Sequence, residues 1–317
     1  MSARNNGILV VGSLGYDYVA SAKTLPCPGQ TLLGHSFATF LGGKGNNQAV
    51  GAARAGGKVS FLGRVGCDDP AVKIRAGLAA AGVDDRFVDA VEGSSQIAMI
   101  FTADDGENCI IVVSGANATI SADVVRAKAE AFTGAGTVLA QLETPIDGVA
   151  EAARLARAND AVFILDPAPA QTLPEELLRT VDWFTPNETE AKFYVGFDAD
   201  QDPVKAATAL RALGPRNIVL KLSSKGAVVL EENKPAFWVP SFKVNAVDST
   251  AAGDSFNGAF AVALSEGKSA VDSVRFACCA AAISVTRRGA GPSMPHRAEI
   301  DAMLASQPLA PIQQLNP

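Results

Sequence analysis

The sequence has only two histidines, His35 and His296, among 317 residues. That count excludes a three-histidine zinc site and any mechanism that relays protons through several imidazoles. Cysteine is sparse as well: Cys27, Cys67, Cys109, Cys278 and Cys279 contain no C-x-x-C pair. A zinc ribbon or a thioredoxin-type dithiol is therefore not expected, and an odd, scattered set points to a reduced, cytoplasmic protein. A basic excess is missing, since 27 Lys and Arg face 33 Asp and Glu for a formal charge of −6. Nucleic-acid binding thus starts without its usual electrostatic footprint. The apolar run at 276–285 covers only ten residues, where a membrane helix needs about 20. Residues 1–7 are short and polar, with no apolar segment leading to a small-residue cleavage site. No secretory leader is expected.

What is present is ordinary for a globular protein: 48% hydrophobic and 19% charged residues, with 29 Gly and 17 Pro. This excludes collagen, coiled-coil and disordered classes. At roughly 150 residues per domain, the length suggests two domains or one large α/β domain with an appendage. Short apolar runs at 8–11, 59–62, 138–140, 162–165, 183–185, 218–220 and 227–230 read as buried strands. Between many of them lie Ala-rich, 3.6-period stretches at 46–55, 71–81, 122–131, 146–158 and 203–213. Strands alternating with such helices predict βαβ crossovers and a mostly parallel sheet covered on both faces. Two regions break this rhythm. Residues 18–40 carry Pro26, Pro28 and Gly29 and little helical period, and 82–113 is strand-rich with Asp-Gly at 105–106 as a hairpin signal. The expected organisation is a large α/β domain at 1–15, 41–81 and 114–306, an inserted β lid at 16–40 and 82–113, and a polar tail at 307–317.

Three segments carry candidate chemistry. Asp248 and Asp254 stand six apart around small residues, Ala251, Ala252 and Gly253 among them, before a helix-like run. Small residues let a helix N-terminus approach an anion, and an aspartate there suits a general base toward a hydroxyl. A helix-capping aspartate is the simpler alternative. Gly42-Gly43-Lys44-Gly45-Asn46-Asn47-Gln48 is neither a P-loop nor a dinucleotide fingerprint. Its glycines allow close backbone approach, and Lys44 with the amides suits polyol hydroxyls. An ordinary Gly-rich turn is the alternative. Asn187 and Glu190, after the strand at 183–185, share a helix face. They suit either a hydrated Mg²⁺ near phosphates or a capping box.

Seven motifs in order then carry a resemblance along nearly the whole chain. They are Gly12-Ser13 with Asp17, Gly42 through Ala49, Gln141-Leu142-Glu143, Asp166-Pro167-Ala168-Pro169-Ala170, Asn187 through Glu190, Asp248 through Asp254, and Arg287 through Ser293. Together they resemble the ribokinase group of the PfkB carbohydrate kinase family. The resemblance implies a ribokinase-like, Rossmann-type three-layer sandwich with a mostly parallel central sheet and a small β-sheet lid. It implies ATP-dependent phosphorylation of a sugar primary hydroxyl, for D-ribose the 5-hydroxyl, or of a related pentose. By the same resemblance, Asp254 is the base and the amides of Ala251, Ala252, Gly253 and Asp254 form an anion hole. Asp17, Gly43, Lys44, Asn47 and Glu143 match sugar contacts. Asn187, Glu190, Lys221, Ser223, Gly226, Gly253 and Cys278 match the ATP–Mg²⁺ side. Asp248, Thr250, Ser284, Arg287, Gly289 and Ser293 match a monovalent-cation site, usually for K⁺. A homodimer through the lid is implied, with Phe37, Phe40, Ile97, Met99 and Phe101 as its apolar face.

Departures concentrate near the sugar. Gly15 stands where an Asn is common, Tyr16 where a small residue is common, and Ser95-Gln96 where Thr-Gly is common; Asp69-Pro70 also departs, at a helix entry. Losing an amide from a sugar pocket removes a hydroxyl partner, so the substrate need not be D-ribose. Tyr16 is expected either to replace that contact or to pack beneath the lid. Two alternatives follow: a purine nucleoside kinase of the same fold, with Tyr16 stacking on the base, and a non-catalytic sugar-binding regulatory protein.

Overall fold

In the computed structural model, residues 5–307 and 311–315 are described. Residues 1–4, which bear on the expected lack of a leader, and 308–310 and 316–317 of the expected tail lie outside them. The strands in chain order are β1 (Gly7–Val11), β2 (Gly15–Ala22), β3 (Ser36–Gly42), β4 (Lys58–Val65), β5 (Asp84–Ala90), β6 (Gln96–Ala103) and β7 (Asn108–Val113). There follow β8 (Ala135–Ala140), β9 (Val162–Leu165), β10 (Trp183–Phe184), β11 (Asn217–Lys221), β12 (Gly226–Leu230), β13 (Ala236–Pro240) and β14 (Gln313–Leu315). The α-helices are α1 (Lys44–Arg54), α2 (Asp69–Ala80), α3 (Ala122–Ala127), α4 (Ile146–Ala158) and α5 (Glu175–Leu178). They continue as α6 (Glu188–Val195), α7 (Pro203–Ala212), α8 (Ala252–Ser265), α9 (Ala270–Ser284) and α10 (Arg297–Ser306).

Ten strands form one sheet in the order β14-β13-β12-β11-β10-β9-β8-β1-β4-β5. From β5 to β11 the pairings are parallel, and β12, β13 and β14 close one edge antiparallel. Period-two alternation sends successive side chains to opposite faces. Ile8 and Val10 of β1, Leu139, Ile164 and Val219 enter one core with α1, α2, α8 and α9. Leu9 and Val11, Val138, Phe163, Leu165, Ile218 and Leu220 enter a second core with α4 and α7. Strands apolar throughout are therefore what a sheet covered on both faces requires.

A separate four-stranded sheet has the order β3-β2-β6-β7. The strand β5, in a segment expected for the lid, instead pairs parallel with β4 at the edge of the large sheet. Its position follows from α2, which makes β4–α2–β5 a βαβ unit. The single helix expected at 122–131 is interrupted at Lys128, whose φ of −108° and ψ of 26° leave the helical region, and resumes as a 3₁₀ turn at Ala129–Phe132. In the expected tail, Gln313–Leu315 adds an edge strand by pairing with β13. Among the described residues, no helix is long and apolar enough to cross a membrane.

Several helices begin on a side-chain cap. Asp68 accepts from the Ala71 amide at 3.0 Å, Asp202 from Lys205 at 3.0 Å and Ser269 from Asp272 at 3.1 Å. The departure Asp69-Pro70 thus lies in the first turn of a capped helix, where proline is tolerated. By contrast, α1 and α8 start without a side-chain cap, at Gly43 and Ala251. The two helices pack together through close approach: a Cβ on Gly258 would lie 2.6 Å from the Gln48 carbonyl oxygen. Beneath α8, the fully buried Phe260 meets Trp183 edge-on at 5.3 Å and stacks on Phe256 at 6.2 Å. Phe260→Ala is expected to lower unfolding free energy by about 3–5 kcal/mol, the usual cost of emptying an aromatic core site. Denaturant unfolding checks this, and a loss below about 1 kcal/mol would show that the seam is not tightly packed.

Candidate active site

The uncapped ends of α1 and α8 meet around Asp254. This residue lies in the first turn of α8 and is 5% exposed. Its Oδ2 accepts from Asn47 Nδ2 at 3.1 Å and its Oδ1 from Gln48 Nε2 at 3.0 Å. The Gln48 amide also donates to Asp166 Oδ2 at 2.8 Å, and Gln141 Nε2 donates to Gln48 Oε1 at 2.6 Å. Lys221 Nζ completes the chain by pairing with Asp166 Oδ1 at 2.9 Å, with both side chains nearly buried. The Gln48 amide nitrogen has two N–H donors and gives one to each of two carboxylates that would otherwise repel. Asp166, Gln48 and Gln141 stood in the motifs but without an assigned role. Their signal was a polar residue directly after an apolar strand, for Gln141 and Asp166, and inside a helix that packs in the core, for Gln48.

Burial raises the Asp254 carboxyl to about 6. The Lys44 charge and the hydrogen bonds from Gln48 and Asn47 pull it back down, while Asp166 pushes it up. Burial alone would depress Lys44 and Lys221. The carboxylates around them outweigh it, Asp254 and Asp166 foremost for Lys44 and Asp166 and Glu190 for Lys221, and both ammonium groups are raised. The result is a carboxylate titrating near neutrality beside two firmly protonated lysines.

At the start of α8, Ala251 takes a left-handed conformation with φ 58°. A non-glycine residue there costs on the order of 1–2 kcal/mol. It holds the first turn open: Ser255 N reaches the Ala251 carbonyl at 2.9 Å and Ala252 N the Ser249 carbonyl at 3.2 Å. Among the described residues, the Gly253 and Asp254 amides meet no acceptor. Gly253 lies against Lys221, whose Nζ would be 3.7 Å from a Cβ placed there. Two free amides, a lysine and the helix dipole make a cradle for an anion.

On the α1 side, Glu143 Oε2 accepts from Ser13 Oγ at 2.5 Å and from the Lys44 amide at 2.9 Å. Gly43 has φ 87°, and a Cβ there would come within 2.9 Å of both Gly15 N and the Ser13 carbonyl oxygen. Only glycine fits this turn. Asp17 of β2 is pushed up to about 6 by burial and by Glu143. Its carboxylate rests against Gly42, where a Cβ would lie 2.3 Å from Oδ1. Asp17, Gly43, Lys44, Asn47, Glu143 and Asp254 thus gather around the α1 turn.

Asn187 and Glu190 form the capping box outright. Glu190 N donates to Asn187 Oδ1 at 2.8 Å, and Asn187 N donates to Glu190 Oε2 at 2.8 Å. Glu190 is nevertheless buried and raised by that burial, and Lys221, Asp166 and Lys44 act on it electrostatically. Ser223 is an exposed neighbour, donating to Glu188 Oε2 at 3.2 Å, and Gly226 (φ 109°) turns the chain into β12. The structure does not bring Cys278 into any polar contact: it sits in the apolar core, its thiol pushed up to about 12 by burial.

A second loop cluster lies beyond the anion cradle. Asp248 Oδ1 accepts from Thr250 N at 2.9 Å and Thr250 Oγ1 at 2.6 Å, and its Oδ2 accepts from Gly289 N at 2.9 Å. These bonds hold its carboxyl below the usual range against the opposing effect of burial. Among the described residues, the carbonyls of Thr250, Arg287 and Gly289 receive no backbone hydrogen bond. The Ser284 carbonyl accepts from Arg287 N at 3.1 Å, and Ser293 Oγ donates to the Ala290 carbonyl at 2.7 Å.

Tyr16 packs rather than facing the site. Its hydroxyl is bonded to Thr39 Oγ1 at 2.7 Å, Lys73 Nζ lies 4.8 Å from its ring centroid, and Tyr18 meets it edge-on at 5.3 Å. With the residue only 6% exposed, its ring offers little surface for the base-stacking role considered for it.

The chain is similar to known proteins over most of its length. Residues 5–297 match the pfkB family of carbohydrate kinases. A ribokinase of Haemophilus influenzae is 41% identical over 295 residues, covering 92% of this chain and 96% of its own. A deoxyribokinase of Salmonella typhi is 34% identical over 292 residues, covering 91% and 95%. The structure of Arabidopsis thaliana ribokinase complexed with ribose and ATP superposes with a TM-score of 0.89 at 33% identity, covering 95% of this chain and 99% of that one. The fold of two sheets, the buried site and these similarities converge: the chain belongs to the pfkB carbohydrate kinase family.

Proposed function

We propose that this protein is an ATP-dependent sugar kinase that phosphorylates D-ribose on its 5-hydroxyl, or a closely related pentose. The observation that carries the reading is Asp254, buried at the open N-terminus of α8 and held by Asn47 and Gln48. Likeness to proteins named ribokinase supports ribose, and the likeness to a deoxyribokinase keeps 2-deoxyribose in the substrate class.

The geometry suggests the following division of labour. Asp17, Gly43, Lys44, Asn47 and Glu143 hold sugar hydroxyls, with one hydroxyl facing Asp254. Asp254 accepts that hydroxyl's proton as the oxygen attacks the γ-phosphorus of ATP. A carboxylate titrating near 6 suits this task, being ionised at neutral pH yet more basic than an exposed aspartate. The free Gly253 and Asp254 amides, with Ala251 and Ala252 shaping the turn, take the charge of the migrating phosphoryl group. Positioning and charge stabilisation carry most of the rate in such a transfer. Lys221, Ser223 and Gly226 border the nucleotide, and Cys278 lines it only through its apolar surface.

Two ions belong to the proposal. Glu190 and Asn187 would hold, through water, a Mg²⁺ carried by the ATP phosphates, because Mg²⁺ keeps several of its waters and takes few protein ligands. Such an ion would neutralise phosphate charge. The oxygen-only set of Asp248, Thr250, Ser284, Arg287, Gly289 and Ser293 fits a monovalent cation such as K⁺, because three of its carbonyls have no backbone donor. That cation would brace the loop beside the cradle. The lid supports a homodimer: β7 is an edge strand whose Ile110, Ile111, Val112 and Val113 are all exposed, with Met99 and Phe37 exposed alongside. Phe40, Ile97 and Phe101 are half-buried and less available. Five free cysteines, three of them exposed, suit the reducing cytoplasm where ATP is made.

Asp254→Asn keeps the shape of the site and removes the base. Turnover of D-ribose with ATP should fall about 10²–10⁴-fold while calorimetry still detects sugar binding. Near-normal turnover would remove Asp254 from its role. For the cation, rates in potassium should exceed those in a bulky organic cation several-fold, and Asp248→Ala should erase the difference. Equal wild-type rates in both salts would contradict the cation site.

A further inference from the structure

Gln96 is the first residue of β6 and pairs with Gly15 of β2 in parallel register. It is buried, 5% exposed, at the corner where the small sheet meets the α1 turn. The direction of its side-chain amide is set by backbone two steps away. Leu14 N–H can only donate, and it donates to Asn117 Oδ1 at 3.1 Å. Asn117 must then turn its Nδ2 outward, where it reaches the Leu14 carbonyl at 3.1 Å and Gln96 Oε1 at 2.8 Å. Gln96 therefore accepts from Asn117 and presents its Nε2 hydrogens the other way. Among the described residues that nitrogen meets no acceptor.

Its position is fixed by the glycine beside it. A Cβ on Gly15 would lie 2.8 Å from Gln96 Nε2 and 3.3 Å from both the Gly42 carbonyl carbon and Gly43 N. The amide nitrogen thus occupies the space that a side chain at 15 would take, over the Gly42–Gly43 turn. The Asp17 carboxylate borders the same turn. Two of the sequence departures, Gly15 and Gln96, are one feature: a side chain absent from one strand and supplied by its neighbour.

We propose that Gln96 is a specificity-determining residue whose Nε2 donates a hydrogen bond to a ring hydroxyl of the sugar, next to the one held by Asp17. This rests on the pentose-kinase reading above. A donor held in place by Asn117 and left without an acceptor favours a substrate bearing an oxygen there and disfavours its deoxy analogue.

The test measures kcat, KM and calorimetric binding for D-ribose, 2-deoxy-D-ribose and 3-deoxy-D-ribose with wild type, Gln96→Met and Gln96→Glu. Gln96→Met removes the amide at similar volume. Gln96→Glu keeps the shape, replaces the donor by an acceptor, and covers the case in which the first variant folds poorly. Wild type is expected to prefer D-ribose, and each variant to lose about tenfold in kcat/KM for it, mainly through KM. With one of the two deoxy sugars, the one lacking the matched hydroxyl, the loss should vanish. Equal proportional losses on all three sugars, or none on any, would overturn the assignment while leaving the kinase reading intact. A wild-type protein that neither binds nor phosphorylates any of the three would overturn both.

Discussion

The structure depends on one arrangement, a carboxylate buried where two helix N-termini converge. Asp254 could not remain ionisable in such a place without donors aimed at it. Asn47 and Gln48 supply them from the first turns of α1, which is why that helix carries amides where a core helix would carry aliphatic residues. The requirement propagates outward. Gln48 must satisfy a second carboxylate, Asp166, which in turn is neutralised by Lys221. Close approach of α1 to α8 then demands Gly258, and the turn into α1 demands Gly43. A single charged group thus dictates glycines, amides and a lysine on α1, α8, β11 and the turn into α1.

The same region carries the local costs of the fold. Ala251 sits in a left-handed conformation and leaves two amides without partners, while four other helix starts are capped by side chains. Strain and unsatisfied donors gathered in one place are characteristic of sites that bind charge, because a ligand can complete what the protein leaves open. The large sheet bears this cost. Its central strands are apolar on both faces, feed two separate cores, and hold the carboxyl ends of β1, β8, β9 and β11 beside the site.

Much of this was legible in the sequence. Short, continuously apolar runs alternating with Ala-rich stretches of 3.6 period specified the parallel α/β layers, and the small residues before Asp254 marked a helix N-terminus open to an anion. The departures from expectation have physical reasons. Strand β5 is half-polar and lies between lid strands in the chain, so local pattern could not assign it to the large sheet; its pairing depends on the crossover through α2. Asn187 and Glu190 read locally as a capping box and are one, yet the charges that act on Glu190 come from Lys221, Asp166 and Lys44, far away in sequence. Tyr16 had two readings that only Thr39 and Lys73, on other elements, could separate. The pairing of Gly15 with Gln96 is likewise invisible until β2 and β6 are placed in register.

In the proposed mechanism, Asp254 is the group whose ionisation switches the enzyme on. Burial sets both Asp254 and Asp17 near 6, so either could produce an acidic limb. The direct measurement is the pH dependence of kcat/KM for D-ribose from pH 5 to 8, in wild type and in Asp17→Asn. Activity should fall as pH drops through about 6, because protonation removes the base, and the limb should persist in Asp17→Asn at lower overall rate. A flat profile, or a limb that disappears with Asp17, would contradict it.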